Sequence, residues 1–288
     1  MKNIRSEFLL LITAILWGFA FSFQKMGMQY IGPFAFNGVR FFIGGSFLLT
    51  LEFIFKGKKR ALDFPFPLIR AGLILGSILF FGATFQQVGI IFTTSGKAGF
   101  ITGLYILIVP IIGLFLGDRF RIRIVIGAVV AAVGLYFLTV SGEFDISKGD
   151  VLVFAGTFFW ATHILAISHF VKRFNPIKLA ISQFFVCSLI NIFVSAFFER
   201  TTTSQLFGAT VPILYGGFIA IGIAYTLQVV AQKKVHHTLA AIIFSLESVF
   251  AVVGGYLLLG ELLTGRMIFG SILILTGIVL SQLDSKNI

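Results

Sequence analysis

The chain alternates long apolar stretches with short polar connections, and each stretch is about as long as a bilayer is thick. A hydrocarbon core of about 30 Å takes about 20 consecutive apolar residues in helical form. Ten such stretches are read along the chain: 7–25, 34–55, 68–90, 95–116, 122–140, 150–170, 178–198, 209–231, 237–259 and 266–283. Within them the apolar runs are continuous and do not alternate with period two, which excludes the strands of a membrane barrel. The connections are too short to hold a soluble domain. The predicted fold class is all-α and integral to the membrane, with ten transmembrane helices.

Composition agrees with that pattern, since 58% of the residues are apolar and only 11% are charged. Soluble domains carry about 25% charged residues, so a water-facing globule is excluded. The net charge of +11 would suggest nucleic acid in a soluble protein, but here most of the cations lie in or at the short loops. Lys25, Lys148, Arg200 and Arg266 fall on one side and Arg40 and Lys97 inside spans, leaving sixteen of the 22 cations on the other side. The positive-inside rule therefore places both termini in the cytoplasm. No small-residue cleavage site follows 7–25, so this segment reads as a retained first span. The expected location is a bacterial-type inner (plasma) membrane, with the lipid bilayer as partner and no nucleic acid. The single Cys187 excludes an intramolecular disulfide and a Cys-rich metal site.

An internal repeat runs through the chain at an offset of 143 residues. Trp17 and Trp160 keep it, as do Pro33 and Pro176, Gly117-Asp118 and Gly260-Glu261, Gly127 and Gly270, and Gly134 and Gly277. The domains are accordingly read as 1–143 and 144–288. Each half holds five spans, an odd number, so the second half starts on the opposite face and is inverted relative to the first. Inverted five-helix repeats are a recurrent design of secondary transporters, in which rocking exposes one site to each side in turn.

The first half carries Trp17-Gly18 with Lys25, the stretch Thr94-Ser95-Gly96-Lys97-Ala98-Gly99-Phe100, Pro110, and Gly117-Asp118. The second half carries Phe244-Ser245-Leu246-Glu247-Ser248-Val249-Phe250 and Leu259-Gly260-Glu261. On these residues the chain resembles an EamA-type member of the drug/metabolite transporter superfamily. The resemblance implies two inverted repeats around a central cavity lined largely by spans 3, 4, 8 and 9. Ser248 stands where the pattern often has proline, and Ala161 follows the second tryptophan where Gly18 follows the first.

Charge inside the hydrocarbon costs about 2.5–3.5 kcal/mol on insertion scales and usually faces a cavity or a partner. Glu247 lies about ten residues, roughly 15 Å, into its span and close to the midplane. At the repeat offset Glu247 corresponds to Leu104, Lys97 to Ala240, Arg40 to Gln183 and His163 to Ala20, so the scaffold does not demand these groups in both halves. Lys97 and Leu104 share one helix face, as do Ala240 and Glu247. If that face lines the cavity, Lys97, with or without Arg40, meets an acidic substrate group and Glu247 an amine or a coupling proton. The alternatives are snorkelling for Lys97, helix anchoring for Arg40 and hydrogen-bonded packing for His163. Gln86, Gln87, Gln228, Tyr105 and Tyr225 add polar groups to the expected substrate site. Trp17 and Trp160 either form a cavity wall or pack against glycine. Gly72-x3-Gly76, Gly99-x3-Gly103 and Gly113-x3-Gly117 read as close helix contacts.

Rival classes fare less well. His163 and His169 do not share a face, His236-His237 lie at a span end, and no HExxH motif exists, so neither an enzyme nor a metal centre is expected. Ser95-Gly96-Lys97 is no Walker motif, since Ile91 and Ala98 occupy its defining positions. No ring of like charges or filter loop marks a channel. The expected function is secondary transport, as an exporter, of a small organic metabolite such as an amino acid. It needs no cofactor, and a proton or counter-substrate is left open as coupling partner. A multidrug or organic-cation exporter and a non-transporting assembly subunit are the alternatives.

Overall fold

The computed structural model describes residues 4–118, 122–139 and 146–282. Eight of the described helices are long and apolar enough to cross a membrane: α1 (Ile4–Gly27), α2 (Pro33–Lys56), α3 (Phe66–Phe92), α4 (Ser95–Phe115), α6 (Lys148–Phe170), α7 (Pro176–Phe198), α8 (Thr210–Gln232) and α9 (His237–Leu259). Two shorter apolar helices, α5 (Ile122–Thr139) and α10 (Gly265–Gln282), complete the set. No strand occurs among the described residues. Two further turns of helix, Lys58–Ala61 and Thr203–Gly208, lie in the connections between spans. Lys2, Arg119, Arg121 and Lys286, four of the sixteen cations assigned to the cytoplasmic side, lie outside the described residues.

The repeated landmarks have local physical causes. Pro33 and Pro176 each open a helix, where the missing N–H costs no intrahelical bond and the fixed φ suits the first turn. Gly117 and Gly260 adopt φ of 94° and 68°, a region that side chains rarely tolerate, and each ends a helix. The acid that follows turns back onto the helix, Asp118 N–H to Gly113 O at 2.9 Å and Glu261 N–H to Gly255 O at 3.0 Å. Gly127, Gly134, Gly270 and Gly277 fall where α5 and α10 cross. A Cβ on Gly127 would meet the Gly277 carbonyl, and one on Gly134 the Gly270 carbonyl. Close approach of backbones is what holds helices together where lipid tails offer no hydrophobic drive.

Elsewhere α1 packs on α8 and α9, α6 on α3 and α4, and α2 on α7. Gly72 and Gly76 of α3 face Ser182 and Val186 of α7, and Gly99 and Gly103 of α4 face Ala251 and Ser248 of α9. The outer faces carry exposed phenylalanines such as Phe42, Phe81, Phe158 and Phe193, as a lipid-facing surface requires.

Three helices are interrupted near their centres. α4 breaks at Leu104 and α9 at Ser245 and Leu246, where i→i+3 bonds such as Leu246 N–H to Ile243 O tighten the turn. In α8 the segment Tyr215–Tyr225 widens into a π-helix, a form that recurs at functional sites.

Candidate functional site: the central cavity

The breaks in α4 and α9 put two polar residues at the start of the second half-helices, Tyr105 and Glu247. The Tyr105 hydroxyl donates to Glu247 Oε1 at 2.8 Å, and both residues are buried. Contact between the helices is reinforced by the Ser248 hydroxyl, which donates to the Gly99 carbonyl at 2.7 Å. Both ends of the pair are clasped by the acids of the repeated Gly-acid motif. Glu261 accepts from the backbone N–H groups of Ser95 and Gly96 at 2.9 and 3.2 Å, at the start of α4. Asp118 contacts His237 Nε2 at 2.5 Å and His236 Nε2 at 3.6 Å, at the start of α9.

A cavity of about 40 Å³ lies beside the Tyr105–Glu247 pair. That is room for only a few ordered waters, so admitting a metabolite requires the helices to separate. Its wall includes Trp17, Arg40, Gln86, Tyr105 and Trp160, joined by His163, Tyr225, Gln228 and Glu247. Tyr225 is the hub of the aromatic wall. Its ring lies 4.5 Å from Trp17 and 6.2 Å from both Trp160 and His163, so the two repeated tryptophans pack on one tyrosine. Trp17 Nε1 donates to the Ala220 carbonyl at 3.1 Å, and the Tyr215 hydroxyl donates to Leu16 O at 2.9 Å. These bonds pin α1 to the π segment of α8.

Arg40 is buried. Its Nε donates to Asn37 Oδ1 at 3.0 Å, and its guanidinium lies 5.3 Å from the ring centres of Phe36 and Phe41. Among the described residues neither Arg40 nor Glu247 has an oppositely charged side chain within ion-pair distance. Trp160 Nε1, His163 Nδ1 and Gln228 Oε1 are buried polar atoms without a hydrogen-bond partner, all on residues of the cavity wall. His163 also engages Gln183 Oε1 through Nε2 at 2.7 Å.

Two of the expected residues lie elsewhere. Lys97 pairs with Asp150 at 2.6 Å, at the junction of α4 with the start of α6, and is absent from the cavity wall. The acid is a helix-cap residue, held by Ser147 N–H and Thr93 Oγ1, so the lysine serves a structural joint. Gln87 donates to the Gln24 carbonyl at 3.2 Å and does not line the cavity. Gln24 itself, which sequence reasoning missed, does line it and accepts from Gln86 Nε2 at 3.1 Å. Its signal was present, because it stands seven residues after Trp17 and therefore on the same helix face. Thr102 was missed as well, one turn before Tyr105 and 3.4 Å from Gln86 Oε1.

Long apolar helices, three of them interrupted at mid-length beside a polar cavity, define a multi-pass membrane protein with an internal cavity. The chain belongs to the EamA-like transporter family, whose model matches residues 4–140 and again 147–283. An uncharacterized transporter of Archaeoglobus fulgidus is 36% identical over 98% of this chain and 87% of its own length. The uncharacterized transporter YoaV of Bacillus subtilis is 22% identical, with 93% of each chain covered. A solved crystal structure with 19% identity superposes with a TM-score of 0.77 over 98% of both chains, which shows the shared fold. This protein is therefore a membrane transporter for a small molecule and not an enzyme.

Proposed function

We propose that the protein is a secondary exporter of a small zwitterionic metabolite of amino-acid size, working by alternating access between inverted repeats 1–143 and 144–288. The observation that carries this reading is the unpaired opposite charges of Arg40 and Glu247 on one cavity wall. A buried charge without a counter-ion is expensive, and a ligand carrying both signs repays both costs at once. Arg40 takes the carboxylate, Glu247 the amine, and the Trp17, Trp160 and Tyr225 rings cover the apolar part.

Packing supports the repeat arrangement. The α1 contacts with α8 and α9 correspond, at the repeat offset, to the α6 contacts with α3 and α4, while α2–α7 and α5–α10 each map onto themselves. A pseudo-two-fold axis relating the halves produces such a pattern. Glu247 is also the candidate for proton coupling, and the reading needs no nucleotide.

Three measurements test these points. Purified protein in proteoliposomes is expected to carry amino acids down an imposed substrate or proton gradient without ATP. A thermal-shift screen over amino acids, organic acids, nucleosides and cationic drugs selects the substrate; stabilisation by cationic drugs alone would favour the multidrug reading. Topology reporters fused after residues 60, 120, 174, 234 and 288 are expected to report cytoplasm, and those near 146 and 203 the outside. Reporters near 60 and 146 on the same side would refute the inverted arrangement.

A further inference from the structure

Asp118, His236 and His237 come together on the protein away from the central cavity, and none of the three lines it. Asp118 ends the turn after α4, and the histidines cap and open α9, 119 residues later in the case of His237. One ligand atom from each residue, a ring nitrogen of each histidine and a carboxylate oxygen, lies within 4.8 Å of the other two. The two Nε2 atoms address different oxygens of the one carboxylate, and the rings lie 4.0 Å apart. We propose that these three side chains bind one divalent transition-metal ion of the zinc class, bridging the end of α4 to the start of α9.

The donor set fits that class. Two imidazoles and one carboxylate suit zinc, while magnesium prefers an all-oxygen shell, and three protein ligands leave a fourth position for water. Asp118 is held ready by the positive φ of Gly117 and by its own N–H bond to Gly113 O. Metal at His236 Nε2 leaves the ring proton on Nδ1, which gives up the long 3.4 Å contact from Thr238 N–H. The other end of the helix pair makes the telling comparison. There the equivalent acid, Glu261, is satisfied by two backbone N–H groups, and the positions equivalent to His236 and His237 are Thr93 and Thr94. The clasp does not need imidazoles, yet the Asp118 end has two.

The test uses purified full-length protein, freed of any affinity tag and stripped with chelator. Equilibrium dialysis against ZnCl2 is expected to load about one ion per chain, with no competition from excess MgCl2. His236→Asn and His237→Asn are each expected to weaken binding at least about ten-fold, while His169→Asn, at a histidine on α6 outside the cluster, leaves it unchanged. His236→Asn is the more decisive variant, because asparagine is itself a favoured helix N-cap and the fold is kept. Absence of bound zinc, or zinc held equally by both cluster variants, overturns the proposal. The readout is binding alone, so it stands or falls independently of the substrate.

Discussion

Arg40→Ala and Glu247→Gln are each expected to weaken binding of the proposed zwitterionic substrate by roughly 10- to 150-fold, the range that follows from losing a charge-assisted contact of about 1.5–3 kcal/mol. Glu247→Gln preserves an oxygen for the Tyr105 hydroxyl, so the 2.8 Å bond between α4 and α9 has a replacement acceptor and only the charge is removed. Lys97→Ala is the matched control. It removes a cation of the same half, paired with Asp150 and outside the cavity wall, and is expected to leave affinity unchanged. Titration calorimetry with the strongest-binding amino acid of the screen measures all three. A cationic substrate would need Glu247 and not Arg40, and a simple carboxylate the reverse. Wild-type affinity in both variants would assign these charges to structure and end the zwitterion reading. Retained exchange with lost proton drive in Glu247→Gln would make this residue the proton carrier and not the amine anchor.

Gly18→Val is expected to have the largest effect on folding. A Cβ at this position would run into Phe250 Cβ and the Glu247 carbonyl, which belong to the backbone region of α9 and cannot rotate away. Overpacking typically costs about 1–3 kcal/mol, and a backbone obstacle puts this site at or above the upper end. Relief requires α1 and α9 to part, which moves Glu247 from Tyr105 and opens the cavity wall. The expected outcome is loss of the monodisperse peak in detergent chromatography, or a folded protein without transport. Gly265→Ala, whose added Cβ meets nothing within 4 Å, is expected to behave as wild type. A stable, active Gly18→Val protein would show that α1 and α9 do not pack as described. Ala161, the repeat partner of Gly18, already carries a Cβ and is fully buried, so the close approach is peculiar to the first half.

Much of the cavity wall is legible in the sequence because the bilayer makes charge conspicuous. Glu247 and Arg40 stand out as ionisable groups inside apolar runs, where burial demands a reason. Lys97 stands out for the same cause but lies off the cavity wall, since its partner Asp150 sits on another helix and no spacing rule connects them. Gln86 and Gln87 were read together, yet adjacent helical residues point about 100° apart, so one lines the cavity and the other turns to the Gln24 carbonyl. The breaks at Leu104 and Leu246 left no sign, because neither position carries the proline that usually marks one.

The sequence by itself determined the apolar helices, their approximate limits, the repeat offset, and the turns that need Pro33, Pro176, Gly117 and Gly260. These follow from local rules: bilayer thickness sets span length, and backbone sterics set where proline and glycine belong. Tertiary structure alone decided the partners. It set Tyr105 against Glu247, Lys97 against Asp150, Trp17 against the Ala220 carbonyl, and Asp118 against two histidines. Each of these choices depends on which helix faces meet across the bundle, and a helix records in its own sequence which face is polar but not which neighbour will cover it.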